Sequence, residues 1–388
     1  HGIVLVTTID ISLLGGMLQS ILEFELTATQ DVEDEVSMEA CEFWLCLLDD
    51  GEGGYDDDDE GDGFKRVSGG GSDTGQAVLF EFLPRLVPIL ISRMQLNEQQ
   101  VLLDREQELA EAQGEKEINM KPMHYRGQAN KNGDDEDEED GDGADEEDSL
   151  SKYTIRKRSA AVLDRLAECY DASFIFPIAL PIIQTLLAST VSCWERESGL
   201  MALGALAGGC MEAMRQVGID TVFPYLLANV NQNADTPPEV RSVSCWVIGR
   251  YSQLLFPLPE PDPDQQVQVG GEGMVRYQKS VSAFNTFYKV VLERLVIVLS
   301  SDPVPRVQSS ACSALFGILQ TAEDIESQIL PFLPDLTLAI QKASTFYGIK
   351  NSLLLCDFIG SLADVVGTEL EQPQYHTVLL PIATKKFR

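Results

Sequence analysis

The stretch EVRSVSCWVIGRYSQLL, Glu239 to Leu255, decides the fold. Its apolar residues recur at i, i+3, i+4 and i+7, the spacing of one face of an α-helix. Inside it lies a compact pattern, Val-x-x-x-(Ala/Ser)-Cys, formed by Val240, Ser244 and Cys245. The pattern recurs at Val36, Ala40 and Cys41, and again at Val307, Ala311 and Cys312. Small residues at this spacing let paired helices approach closely. A helix whose internal pattern returns along the chain implies a repeat protein.

Outward from this segment the chain alternates two kinds of helix. First helices include 84–94, 174–188, 220–230 and 330–343, most with a proline expected near the start, where a missing N–H costs nothing. Second helices are 35–48, 154–170, 196–211, 239–255, 306–319 and 351–366. The period is about 40 residues once loops are allowed for, that of HEAT-type helical repeats. Each pair buries only one face alone, and stacking its neighbours creates a continuous core. The fold class is therefore all-α, an α-solenoid of HEAT repeats, with about six helix pairs and a lone first helix at 375–387.

The rhythm divides the chain into HEAT repeats at 1–48, 76–170, 171–256 (two repeats) and 284–388. Three insertions interrupt it: an acidic, glycine-rich one at 49–75, a second at 104–152 inside one repeat, and a Pro/Gly-rich one at 257–283. All three lack a hydrophobic period in this reading and are expected to be mobile. The chain opens at His1-Gly2-Ile3 within an apolar pattern and stops at Lys385–Arg388 within another, so it is expected to be part of something longer.

The formal charge is −34. Two runs carry much of it: Asp49–Asp62 with nine acids and DDEDEEDGDGADEED, Asp134–Asp148, with twelve. Such a field repels nucleic acid and anionic lipid and attracts basic partners. No run of 18 apolar residues and no signal-peptide pattern occurs, so neither a membrane partner nor direct nucleic-acid binding is expected. Eight cysteines without a CxxC pair read as reduced, buried thiols of an intracellular protein.

An enzyme reading finds little support. The three histidines, His1, His124 and His376, form no ligand or catalytic spacing, and no P-loop or nucleophile elbow occurs. No catalytic residue, metal or cofactor is expected. Two stripes point instead to recognition. Val243, Trp246 and Arg250 share one helix face, a tryptophan beside an arginine that makes an interface anchor; the same spacing also fits Trp246 as core. Asp357, Ser361 and Asp364 interrupt an otherwise apolar helix, and two acids facing a groove bind basic side chains. Asp164 is expected to extend that acidic stripe.

MEACEFWL, RKRSAAVLDRLAECY, RESGLMALGALAGGCMEAM, VRSVSCWVIGRY, RVQSSACSA and LCDFIGSLADVVG, spread in order over 38–367, resemble the transportins, or karyopherin-beta-2 nuclear import receptors. The resemblance implies a receptor that shuttles between cytoplasm and nucleus and acts as a monomer. It implies cargo with proline–tyrosine localisation signals, RNA-binding proteins among them, and contacts with nucleoporin FG repeats. By resemblance the proline–tyrosine region meets Ala161, Asp164, Met201, Val243, Trp246 and Arg250. The upstream basic part meets Asp357, Ser361 and Asp364, with Gln320 standing where the family places an acid. The acidic release loop falls on Asp134, Asp135, Glu136, Asp137, Glu138, Glu139, Asp140, Asp145, Glu146, Glu147 and Asp148. The resemblance implies that the GTPase Ran presses that loop against the cargo groove, with its main site and the distal cargo repeats expected outside this chain. The insertions at 49–75 and 257–283 look longer than the family norm. A HEAT scaffold or regulatory subunit without transport activity is the competing reading, and an acidic shield for basic proteins a weaker third.

Overall fold

The computed structural model describes residues 16–48, 78–96, 99, 101–103, 105–106, 154–231, 236–260, 272–321 and 325–384. Both acidic runs lie outside the described residues, and with them Asp134 to Asp148 and the insertion at 49–75.

The described residues form helices in pairs. They are α1 (Gly16–Ala28) with α2 (Asp34–Leu48), α3 (Leu83–Arg93) with α4 (Ile155–Cys169), and α5 (Ala172–Leu187) with the run α6 (Cys193–Ala205) and α7 (Ala207–Val217). Then come α8 (Ile219–Val230) with α9 (Pro238–Arg250), α10 (Glu272–Ala283) and α11 (Lys289–Ser301) with α12 (Pro305–Leu319), and α13 (Leu333–Ala343) with α14 (Ile349–Val366). A lone α15 (Pro373–Thr384) follows. The second helices α2, α4, α6–α7, α9, α12 and α14 pack on one another in order, with first helices behind them. One core runs the length of the stack. This is the solenoid the period predicts.

Local signals explain the helix ends. In α9 a proline opens the helix, Glu239 sits in the first turn and Arg250 in the last, each opposing the end of the helix dipole. Ser192 caps α6 by accepting from Trp194 N at 3.1 Å, and Asp171 caps α5 by accepting from Ser173 N at 2.8 Å. After α14 the chain turns at Gly367, whose φ of 51° suits a residue without a side chain.

The repeated pattern behaves as expected in α9 and α12, where Val240, Cys245, Val307 and Cys312 are buried. Burial pushes the Cys245 and Cys312 thiols up to about 12, as inert structural cysteines require. In α2 Ala40 and Cys41 are buried likewise and only Val36 departs: it is exposed, and the neighbouring Ser37 is buried and donates to Thr29 O at 2.6 Å.

Between repeats the stacking is fixed by polar ties. Three tyrosine hydroxyls reach back about one repeat to a carbonyl near the end of an earlier helix: Tyr225 to Leu187 at 3.1 Å, Tyr251 to Leu203 at 2.8 Å and Tyr347 to Leu299 at 2.6 Å. Leu187 and Leu299 lie in the last turn of their helices, where carbonyls lack intrahelical donors, so those two contacts satisfy groups that would otherwise be orphaned. Arg241 of α9 forks onto Asp302, just before α12, at 3.0 and 3.1 Å. Asp302 is fully buried and also accepts from Val304 N, so its charge is compensated on both sides.

Three expectations are corrected. The prolines of the first helices follow the expectation only in part: Pro84 and Pro334 lie in the first turn, while Pro88, Pro177, Pro181, Pro224 and Pro381 are internal. Each internal one forfeits one ladder bond, and the helix continues because its buried apolar face outweighs that loss. Helix 196–211 extends further than read and breaks into α6 and α7 at Leu206, with a non-helical Cys210 inside α7. The insertion at 257–283 ends in a real helix, α10, joined through a π-helical turn at Phe284–Tyr288 to α11. Its polar residues bind α7, Arg276 to Glu212 at 2.8 Å and Lys279 to Gln216 O at 2.5 Å, contacts that a search for apolar periodicity does not see.

Candidate functional site

The first candidate cluster forms where three consecutive second helices meet. Asp164 on α4 accepts from Arg250 Nη2 on α9 at 2.6 Å, and both side chains are about one third exposed. Arg250 Nε also donates to Gly204 O of α6 at 3.2 Å, and its guanidinium lies 6.0 Å from the centre of the Trp246 ring. Burial pushes the Asp164 carboxyl up to about 6, against the charge and hydrogen bond of Arg250, which lower it, while the nearby Glu168 raises it further.

Trp246 combines features of both readings left open by its spacing. It is half-buried, packed against the core and on Gly204 while part of its surface stays exposed. Val243 and Met201 are likewise half-buried, and Ala161 is exposed. An apolar surface with a fixed guanidinium behind its tryptophan can hold a flat or kinked apolar segment, and a free carboxylate edge can attract a cation.

The second cluster lies on α14, two helices further along. Asp357 and Asp364 are exposed, and Ser361 between them donates to Asp357 O at 3.2 Å. Gln320 is exposed at the end of α12, between the two clusters in chain order of the helices. Asp164 does not join this acidic stripe. It is committed to Arg250, and α6–α7, α9 and α12 separate α4 from α14. The sequence places them on one stripe because helix-face spacing says nothing about which helices are neighbours. Among the described residues no group of three or more His, Cys, Asp or Glu is arranged to hold a metal, and no helix is long and apolar enough to cross a membrane.

The model of the HEAT-like repeat family matches residues 194–251, which span α6 to α9. Transportin-1 of Mus musculus is 30% identical to 95% of the chain, and importin subunit beta-2 of Schizosaccharomyces pombe is 30% identical, also over 95%. The chain is homologous to the transportins. It spans about a third of these relatives, 36% and 37% of their own lengths. Among solved structures, Kap121p bound to Pho4p superposes with a TM-score of 0.60 at 16% identity, covering 97% of the chain and 29% of that protein. Kap121p bound to RanGTP superposes at 0.57 and 17% identity, covering 97% and 29%. At that identity these two speak for the solenoid fold alone.

Sequence reading missed two features of this transportin homologue. One is Arg105, assigned to the acidic insertion. It forks onto the buried carboxylate of Glu239, at the start of α9, at 2.8 and 3.0 Å. Burial raises the Glu239 carboxyl, and the bonds from Arg105 and its own backbone, with the charges of Arg105 and Arg306, outweigh that and hold it below its ordinary value. Nothing local in the sequence links residues 134 positions apart. The other is the pair of glycines in GALAG, Gly204 and Gly208, which lie beneath the Asp164–Arg250 contact. Two glycines four apart in a helical run were the available signal.

Proposed function

We propose that this transportin homologue is a nuclear import receptor that binds extended basic localisation signals ending in proline–tyrosine along its second-helix layer. The observation that carries the reading is the meeting of Asp164 on α4 with Trp246 and Arg250 on α9 over Gly204 of α6, with exposed Asp357 and Asp364 two second helices away. Ala161, Met201, Val243 and Trp246 offer apolar contact to the proline–tyrosine end. Asp357, Ser361 and Asp364 receive the upstream lysines and arginines, with Gln320 a neutral contact between.

An extended signal loses conformational freedom on binding, so several modest contacts must add along the groove. Cargo release is assigned to Asp134–Asp148, which competes with basic cargo when Ran-GTP is bound. A tethered competitor needs little intrinsic affinity, because its effective concentration reaches roughly the millimolar range. The proposal includes shuttling through the nuclear pore on FG repeats, RNA-binding proteins among the cargoes, and a monomeric receptor.

Deleting Asn132–Ser149 tests the release element. Affinity for a labelled proline–tyrosine peptide should stay equal or rise. Loss of binding on that deletion would mean that the run belongs to the binding site and is not its competitor.

A further inference from the structure

Asp164 and Arg250 belong to α4 and α9, and the run α6–α7 passes between those helices. A contact over an intervening helix requires that helix to be thin where it is crossed. Gly204 and Gly208 lie either side of Leu206, where α6 gives way to α7, and turn toward different neighbours, Gly204 to α9 and Gly208 to α4. The ladder continues between them, with Leu206 N on Ala202 O at 3.2 Å and Cys210 N on Leu206 O at 2.9 Å. A Cβ on Gly204 would fall 2.1 Å from Cζ3 of Trp246, with two more ring atoms at 2.7 and 2.8 Å. A Cβ on Gly208 would fall 3.1 Å from Asp164 Oδ1 and 3.0 Å from Glu168 Oε1. The Gly204 carbonyl also accepts from Arg250 Nε.

We propose that Gly204 and Gly208 are positioning residues of the signal-binding site: their bare backbone lets the Asp164–Arg250 bridge cross α6–α7 and seats the Trp246 ring. The inference rests on the cargo-binding reading and deepens it, since specificity then depends on a glycine pair that itself touches no cargo. The two positions differ in kind. At Gly204 the obstacle is a rigid ring, so even a methyl group must move the tryptophan. At Gly208 the obstacles are side-chain carboxylate oxygens, Glu168 Oε1 and the Asp164 Oδ1 that Arg250 holds. A side chain there leaves the helices in place and takes the path of the bridge. A purely structural glycine would instead act on stability alone.

The test is a double-mutant cycle on the full chain with Gly208→Leu, Asp164→Asn and the pair. It is read by fluorescence anisotropy of a labelled, histidine-free, basic proline–tyrosine peptide between pH 5 and 8, with circular dichroism to verify folding. Gly208→Leu should weaken binding roughly 3–30-fold at pH 7.5 and flatten the pH dependence that Asp164, facing Arg250 and Glu168, gives the wild type. The double variant should bind no worse than the weaker single one. Gly204→Ala, a smaller change, should weaken binding by at least as much while the chain stays helical. Effects of Gly208→Leu and Asp164→Asn that multiply, or wild-type binding by both glycine variants, would overturn the positioning role while leaving the cargo reading intact. No binding by the wild-type chain would overturn both.

Discussion

Asp164 and Arg250 stand 86 residues apart in the chain and meet at 2.6 Å, spanning the helix run that separates α4 from α9. The pair converts an arginine that sequence spacing offers as an outward-facing cation into a fixed support behind Trp246. What stays partly exposed is Trp246, together with about a third of the Asp164 and Arg250 side chains. That surface favours an apolar segment next to a positive charge.

The bridge predicts a pH dependence. Asp164 titrates near 6, above its ordinary 3.8, because burial outweighs the attraction of Arg250. A carboxyl raised in the folded state binds a proton that the unfolded chain has already lost. Its contribution to stability therefore falls as pH rises from about 4 to 6. For binding the sign is opposite. Below pH 6 the neutral Asp164 no longer attracts a cation and no longer neutralises Arg250. Affinity for a basic peptide should drop as pH is lowered from 7.5 to 5.5, and Asp164→Asn should remove that step. A titration series by anisotropy measures it.

Trp246→Ala should weaken peptide binding by about 1–3 kcal/mol, as expected for a central aromatic anchor. Because the ring is only half-buried, the helical signal should be retained. Isothermal titration calorimetry of both proteins gives the difference.

Arg241→Ala should destabilise the stack by about 3–5 kcal/mol, since it leaves the Asp302 carboxylate buried without its partner. That carboxylate bonds Arg241 by two contacts at 3.0 and 3.1 Å. Guanidinium unfolding with far-UV detection should move to lower denaturant. Asp302→Asn combined with Arg241→Ala should recover part of the loss, because a neutral amide costs less to bury than a charge.

The fold was legible because its information is local. The Val-x-x-x-(Ala/Ser)-Cys pattern and the helical period report which face of each segment is buried, and stacking then follows. The candidate site was legible only in pieces. Val243, Trp246 and Arg250 share one helix, so spacing groups them correctly. Spacing gave Asp164 to the acidic stripe and only the resemblance set it beside Trp246 and Arg250, because its partner lies on α9 and the stacking order brings them together. Arg105 and Glu239 were missed for the same reason, and α10 because its contacts are polar.

Exposed Asp357 and Asp364 should carry the salt-sensitive part of binding. Replacing both by Asn should weaken a basic peptide and reduce the slope of affinity against salt, because screening acts on solvent-exposed charges. A peptide with its upstream lysines and arginines replaced should bind the wild type and the double variant alike. Anisotropy at 50 and 300 mM salt separates the cases, at about 14 and 6 Å Debye length.

The central claim, that the second-helix layer receives a basic proline–tyrosine signal, is tested most directly by calorimetric titration of the folded chain with such a peptide. A control peptide has the proline–tyrosine pair replaced by alanines. The account predicts saturable binding of the first peptide at one site and clearly weaker binding of the second. No binding of either at low salt, or equal binding of both, would contradict it.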